Sequence, residues 1–184
     1  VANSQITVDS TNDEPLFTSG PGSLTYTETD GTNVAATIDD DLVISDLDTT
    51  NLVGATIKIS TNCVMSEDAL ALPDATGFTS ADWVGDENND TIIDSGDCTL
   101  TITGSATVAA YQSALRTVTY INSSDTPTES DRTLTWVLND GADGPVANSQ
   151  ITVDSTNDEP LFTSGPGSLT YTETDGTNVA ATID

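Results

Sequence analysis

The chain has no histidine and only three basic residues, Lys58, Arg116 and Arg132, against 30 acidic ones. Its net charge at neutral pH is −27. A nucleic acid is held largely through basic groups, so this composition excludes a nucleic-acid partner. It also opposes direct insertion into, or docking on, an anionic membrane surface. No apolar run approaches the length of a membrane-spanning helix, and no signal peptide is recognisable. With no histidine, and with neither cysteine beside a base, nucleophilic catalysis has no support. Carboxylate pairs are plentiful, but nothing marks one pair as an acid and a base, so an enzyme is not expected. Cysteine is scarce as well. Cys63 and Cys98 form an isolated pair, which reads as a disulfide in a chain of extracellular composition, the alternative being two unpaired small core residues.

What the chain does contain is a duplication. Residues 1–39 recur letter for letter as residues 146–184. The expected organisation is therefore three pieces: 1–12 as the last strand and linker of a preceding repeat, 13–157 as one complete repeat, and 158–184 as the start of the next. A unit of that size can bury a core of its own. The period is too long for a solenoid coil, so whole domains in tandem are expected. A surplus of acids repels itself unless something offsets it. Divalent cations and high salt are the two candidates, and the clustering of acids at turns favours cations over a merely solubilising, salt-adapted surface.

Thr and Val are abundant and are punctuated by Gly, Asn, Asp and Ser, the pattern of short strands between turns. Alternation of apolar and polar residues marks strands at 1–9, 23–28, 33–38 with 42–44, 55–60, 98–103, 117–121, 133–138 and 146–153. Asn139-Asp140-Gly141 reads as a hairpin turn. Only Val108 to Leu115 looks helical, with Val108, Tyr111 and Leu115 at i, i+3 and i+7. Residues 64–97 look irregular. The fold class expected is all-β, a Greek-key sandwich of about seven strands with one short helix.

In such a sandwich the loops alternate between two ends. One end would collect Asn12 and Asp13, Asp46 and Asp48, and Asn139 and Asp140. The other would collect Glu28 and Asp30, the loop from Asp125 to Asp131, and Asp154, Asn157 and Asp158. Hard oxygen ligands in that number suit Ca²⁺, which takes six to eight. The motifs D-S-T-N-D-E-P (Asp9 to Pro15), Y-T-E (Tyr26 to Glu28) and D-L-D (Asp46 to Asp48) resemble the linker, first-strand glutamate and Asp-x-Asp loop of cadherins. The longer pattern is similar to cadherin-like tandem repeats of giant bacterial surface adhesins. It runs from I-S-D-L-D-T-T-N-L through A-T-V-A-A-Y-Q-S-A-L-R-T-V-T-Y-I-N-S-S-D-T-P to N-D-G. That resemblance implies a cadherin/Ig-like β-sandwich whose junctions are stiffened by Ca²⁺, in a long extracellular protein at the cell surface.

A second loop, Asp86 to Asp97, resembles a dockerin-type calcium loop. Asp86, Asn88, Asp90, Asp94 and Asp97 fall at positions 1, 3, 5, 9 and 12, and Ile92 at position 7 would give its carbonyl. Thr91 stands where glycine is usual, and no helices flank the loop. Trp136 reads as core. Trp83, beside Phe78, reads as a cap on the core edge, with a sugar-stacking platform as the alternative. Asn89 and Asn122 match glycosylation acceptors, read as accidental. The expected function is a calcium-stiffened extracellular spacer repeat, partnered by identical neighbours in the same chain. Self-association into a filament or surface layer, and a glycan- or protein-binding module using residues 64–97, are the alternatives.

Overall fold

In the computed structural model the residues described are 4–7, 11–87, 96–158 and 176. The strands are β1 (Leu16–Ser19), β2 (Leu24–Thr27), β3 (Ala36–Thr37), β4 (Val43–Ser45), β5 (Asn51–Thr61), β6 (Asp68–Ala71), β7 (Ser80–Val84), β8 (Thr99–Thr107), β9 (Thr119–Asn122), β10 (Arg132–Asn139) and β11 (Ala147–Asp154). One helix, α1 (Val108–Leu115), sits between β8 and β9. The described residues are thus all-β apart from one short helix, as the strand formers among them favour.

Among the described residues the strands form three sheets. Six strands pair in the order β2-β11-β10-β5-β8-β7, three in the order β3-β9-β6, and β1 pairs with β4. Eleven strand segments among the described residues exceed the seven expected, for local reasons. Gly20, at φ +74, turns the chain sharply and separates β1 from β2, which join different sheets. The stretch 64–97, expected to be irregular, contributes β6 and β7. Residues 4–7 form no strand, although the identical residues 149–152 lie in β11.

One buried cluster draws on all three sheets and the helix. Leu134, Trp136 and Leu138 alternate inward from β10, Ile57 and Ile59 from β5, and Ile151 and Val153 from β11. Leu70, Tyr120, Ile44, Tyr111 and Leu115 meet them from the other elements. Tyr26 on β2 and Tyr120 on β9 stack edge to face with ring centres 5.1 Å apart, joining the six- and three-stranded sheets. The Trp136 indole donates to Ser149 Oγ at 2.8 Å, so its one polar group is satisfied in the core. Thr107 caps α1 by accepting from Ala110 N at 3.1 Å. Phe78 packs against Tyr111, and Trp83 packs against the core from β7.

Cys63 and Cys98 form a disulfide. It joins the end of β5 to the start of β8 and closes the excursion that carries β6 and β7. On loop entropy a bridge of this span stabilises by roughly 3–4 kcal/mol. The other buried tie is polar. Arg132, fully buried, pairs with Asp68 at 3.2 Å. Asp68 also accepts from Tyr120 Oη at 2.6 Å, Asn122 Nδ2 at 2.8 Å and Val64 N at 2.7 Å. Every oxygen of this carboxylate is therefore used, which is the condition for burying an ion pair. Arg132 Nη1 donates in turn to the carbonyls of Thr128 and Ser130, holding the loop before β10.

Candidate metal-binding poles

Strand directions explain why acids far apart in sequence meet. β4 ends and β1 begins side by side, because Leu16 pairs with Ser45. β10 ends where β5 begins, Asn139 opposite Gly54. The loops after β4 and β10 and the segment before β1 thus reach one end of the molecule, the first pole. There carboxylate oxygens of Asp46, Asp48 and Asp140 lie within 4.8 Å of one another. Asn12 Nδ2 donates to both oxygens of Asp140, at 3.2 and 3.0 Å, and Asp13 N donates to Asp48 Oδ2 at 3.1 Å. Asp46 Oδ1 accepts from the amides of Asp48 and Thr49, while its Oδ2 is buried with no partner. Burial pushes the Asp140 carboxyl up, but bonds from Ala142 N and Asn12 outweigh it and hold the group below the usual range. Just beyond, Pro15 is buried and its carbonyl packs on Gly144, where a side chain would collide with it.

The second pole is built by a parallel pair. β2 runs parallel to β11, with Thr27 beside Asp154, so Glu28 and the segment after β11 leave the sheet together. β10 starts there too, Arg132 opposite Ile151, which brings in the loop before it. Carboxylate oxygens of Glu28, Asp125 and Asp158 lie within 4.8 Å of one another. Glu28 is 1% exposed, and its Oε1 has no partner; Asp158 Oδ1 is likewise buried and unpartnered. Burial, then the charges of Asp125, Glu28 and Asp30, raise the Asp158 pKa above the ordinary value, as like charges do when crowded.

The predicted ligands divide between these two groups, with some outside both. Asn12, Asp13, Asp46, Asp48 and Asp140 converge at the first pole, and Glu28 and Asp158 at the second. Asn139 lies beside the first group, but its amide donates to Asp143 and its oxygen accepts from Gly141 N, so it builds the hairpin. Asn157 Nδ2 donates to the Asp158 carbonyl. Asp131 stands apart, accepting from Gln150 Nε2 at 3.0 Å. Asp125, six residues earlier in the same loop, is the member that reaches the cluster. In the dockerin-like loop, Asn88, Asp90, Ile92 and Asp94 lie outside the described residues, as does Asn89. Asp97 is fully buried and accepts from Glu87 N at 2.6 Å. Asp86 is half-buried. Asn122 is fully buried and bonded to Asp68, so it is no glycan acceptor in the folded chain.

Another acidic pair lies between the poles and is structural. Asp39 accepts from Gly22 N and from the amides of Asp41 and Leu42, fixing the β1–β2 turn to the strand that follows. Burial pushes its carboxyl up, yet those bonds outweigh it and lower its pKa; Asp41, hydrogen-bonded to it, is raised.

Among the described residues no helix is long and apolar enough to cross a membrane. No family model, curated protein or solved structure matches this chain.

Proposed function

We propose that this chain is part of a tandem array of β-sandwich repeats whose junctions are stiffened by Ca²⁺, and that its work is mechanical: a spacer or stalk in a long extracellular surface adhesin or fibre. The observation that carries this reading is the duplicated tripeptide T-N-D. As Thr11-Asn12-Asp13 it bonds to the carboxylates of Asp140 and Asp48 at one pole; as Thr156-Asn157-Asp158 it meets carboxylates at the other. In an array both sets belong to one linker. Each pole also holds at least one buried carboxylate oxygen without a partner. Such an oxygen costs free energy unless a cation or donor meets it.

The donor sets fit a hard cation. Glu28, Asp125 and Asp158 at one pole, and Asp46, Asp48 and Asp140 at the other, offer only oxygen ligands, which suits Ca²⁺. The bound ion would supply positive charge to groups that otherwise repel. The resemblance of the linker, the first-strand glutamate and the D-L-D loop to cadherin-like adhesin repeats supports the same reading, as does the disulfide, which belongs with an oxidising, extracellular setting. The Greek-key sandwich belongs to this proposal too, with the six-stranded sheet as one layer and the smaller sheets with α1 as the other.

Calorimetric titration of the full chain with calcium tests it. At least two sites are expected, with a rise in melting temperature and loss of protease sensitivity that EDTA reverses. A melting temperature and a scattering profile indifferent to EDTA would overturn the reading and leave the acids as a salt-adapted surface.

A further inference from the structure

We propose that the second pole is preset by a latch that needs no cation: Ser155, Thr156 and Glu129 hold Glu28 and Asp158 in position before any ion arrives. The cation half of this statement rests on the function proposed above; the latch itself does not.

The latch follows from the parallel strands. Glu28 N donates to the Asp154 carbonyl at 2.9 Å, continuing the β2–β11 ladder by one step. The next two residues of the linker then bind side chains. Thr156 N donates to Glu28 Oε2 at 3.0 Å, and Thr156 Oγ1 to the Glu28 carbonyl at 2.5 Å. Ser155 donates to Glu129 Oε1 through both its amide, at 3.1 Å, and its hydroxyl. Four donors of two consecutive residues are thus satisfied by two glutamates. Glu129 in turn belongs to the loop whose carbonyls Arg132 holds from the core.

The consequence for Glu28 is specific. Its Oε2 is pinned by Thr156, so the side chain keeps one orientation, and Oε1 is left unpartnered in a residue 1% exposed. Asp158 follows two residues after Thr156 and is carried to the same place. Three carboxylates repel at that distance. The latch holds the linker against that repulsion, through atoms that a cation does not require.

The first pole is arranged the other way. There the linker is held by both oxygens of Asp140 and one of Asp48, carboxylates that an ion would take. At the first pole a cation meets one free oxygen, Asp46 Oδ2, and competes for both oxygens of Asp140; at the second pole it meets two free ones, Glu28 Oε1 and Asp158 Oδ1. The second pole therefore binds calcium more tightly and fills first. Thr156 acts as a positioning residue on Glu28, and Ser155 and Glu129 act through the linker that carries Thr156 and Asp158.

Two measurements on the full chain, with calcium alone as the probe, decide this. In chelator, amide exchange is expected to show Ser155 and Thr156 protected. In calorimetry, Ser155→Ala and Glu129→Gln are expected to weaken the tighter site about 10- to 100-fold, the usual loss when a group orienting a ligand is removed. The weaker site should keep its affinity, and Ser155→Thr, which retains the hydroxyl, should restore the tighter one. Protection that appears only with calcium overturns the proposal. So does an equal loss at both sites, or a Ser155→Thr variant no better than Ser155→Ala. If calcium does not bind at all, the proposed function falls, and protection in chelator still decides whether the latch exists.

Discussion

The peptide S-Q-I-T occurs twice, and the two copies differ in almost everything but sequence. In Ser149–Thr152 it lies in β11 between β10 and β2, and Ile151 is fully buried. In Ser4–Thr7 it forms no strand, and Ile6 is 86% exposed. Nothing in the four residues chooses between these outcomes. The choice is made by neighbours: β11 has a partner on each edge and a core beneath it, and both are supplied by residues far away in sequence. Strand propensity is a statement about fitting a half-buried surface, and among the described residues that surface is present for one copy alone. The linker makes the same point about chemistry. Asn12 and Asn157 are the same residue in the same heptapeptide, yet one binds Asp140 and the other its neighbour's carbonyl.

The largest expected difference between the copies is in stability. Ile151→Ala should destabilise the chain by about 2–5 kcal/mol, the usual range for a core Ile that leaves a cavity. Ile6→Ala should change it by less than about 0.5 kcal/mol, as an exposed substitution does. Thermal or denaturant unfolding of the two variants side by side measures the contrast. Equal losses would mean that residues 4–7 are packed in solution, and the comparison would collapse.

The poles give the next contrast. Glu28→Gln should remove the tighter calcium site and leave the weaker, and Asp140→Asn should do the reverse. Each loss should be about tenfold or more, because each removes a charged oxygen from a small ligand set. Calorimetry resolves the two, and loss of both sites in either variant would show a single shared site.

Much of the fold could be read because β5, β8, β10 and β11 alternate cleanly and α1 carries Val108, Tyr111 and Leu115 on one face. What could not be read depended on distant partners. β6 begins with Asp68, and an acid at an inward position looks like a turn; it is buried because Arg132, 64 residues on, neutralises it. β1 is four residues ended by Gly20, too short for periodicity to register. The parallel pairing of β2 with β11 is set by how the sheet closes, and no local pattern reports it. The site divides similarly. Glu28, Asp46, Asp48, Asp140 and Asp158 stood out because acids at opposite ends of strands must gather at the poles. The same argument brings the loop from Asp125 to Asp131 to the second pole, but which of Asp125, Glu129 and Asp131 reaches the cluster depends on the anchoring of that loop by Arg132.

The acid pair between the poles sets a control on all of this, since it uses carboxylates for structure and not for ligands. The folded pKa of Asp39 lies below its unfolded value. Its stabilisation is therefore present above the unfolded pKa, near the ordinary 3.8, and is lost as pH falls through the folded pKa. Asp39→Asn should cost about 1–3 kcal/mol, because an amide in place of one oxygen faces the Gly22 N–H as a second donor. It should also flatten the fall in stability below about pH 4. Both are read from melts across pH in chelator, where calcium plays no part, and an unchanged acid limb would remove Asp39 as its cause.

The smallest expected effect bears most directly on the duplicated linker. Asn12→Ala removes two bonds to Asp140, and should free the Asp13 amide to exchange while lowering global stability by only about 0.5–1.5 kcal/mol. Asn157→Ala removes one contact with its own backbone neighbour, and should leave the Thr156 amide protected, because that amide is held by Glu28. The two substitutions are identical in sequence context and differ only in which pole the residue meets. Amide exchange at Asp13 and Thr156 in the two variants therefore isolates the contribution of the poles from that of the linker itself. If both amides respond alike, the linker sequence governs its own order. If only Asp13 responds, the poles govern it, and the second pole holds its half of the linker without help from Asn157.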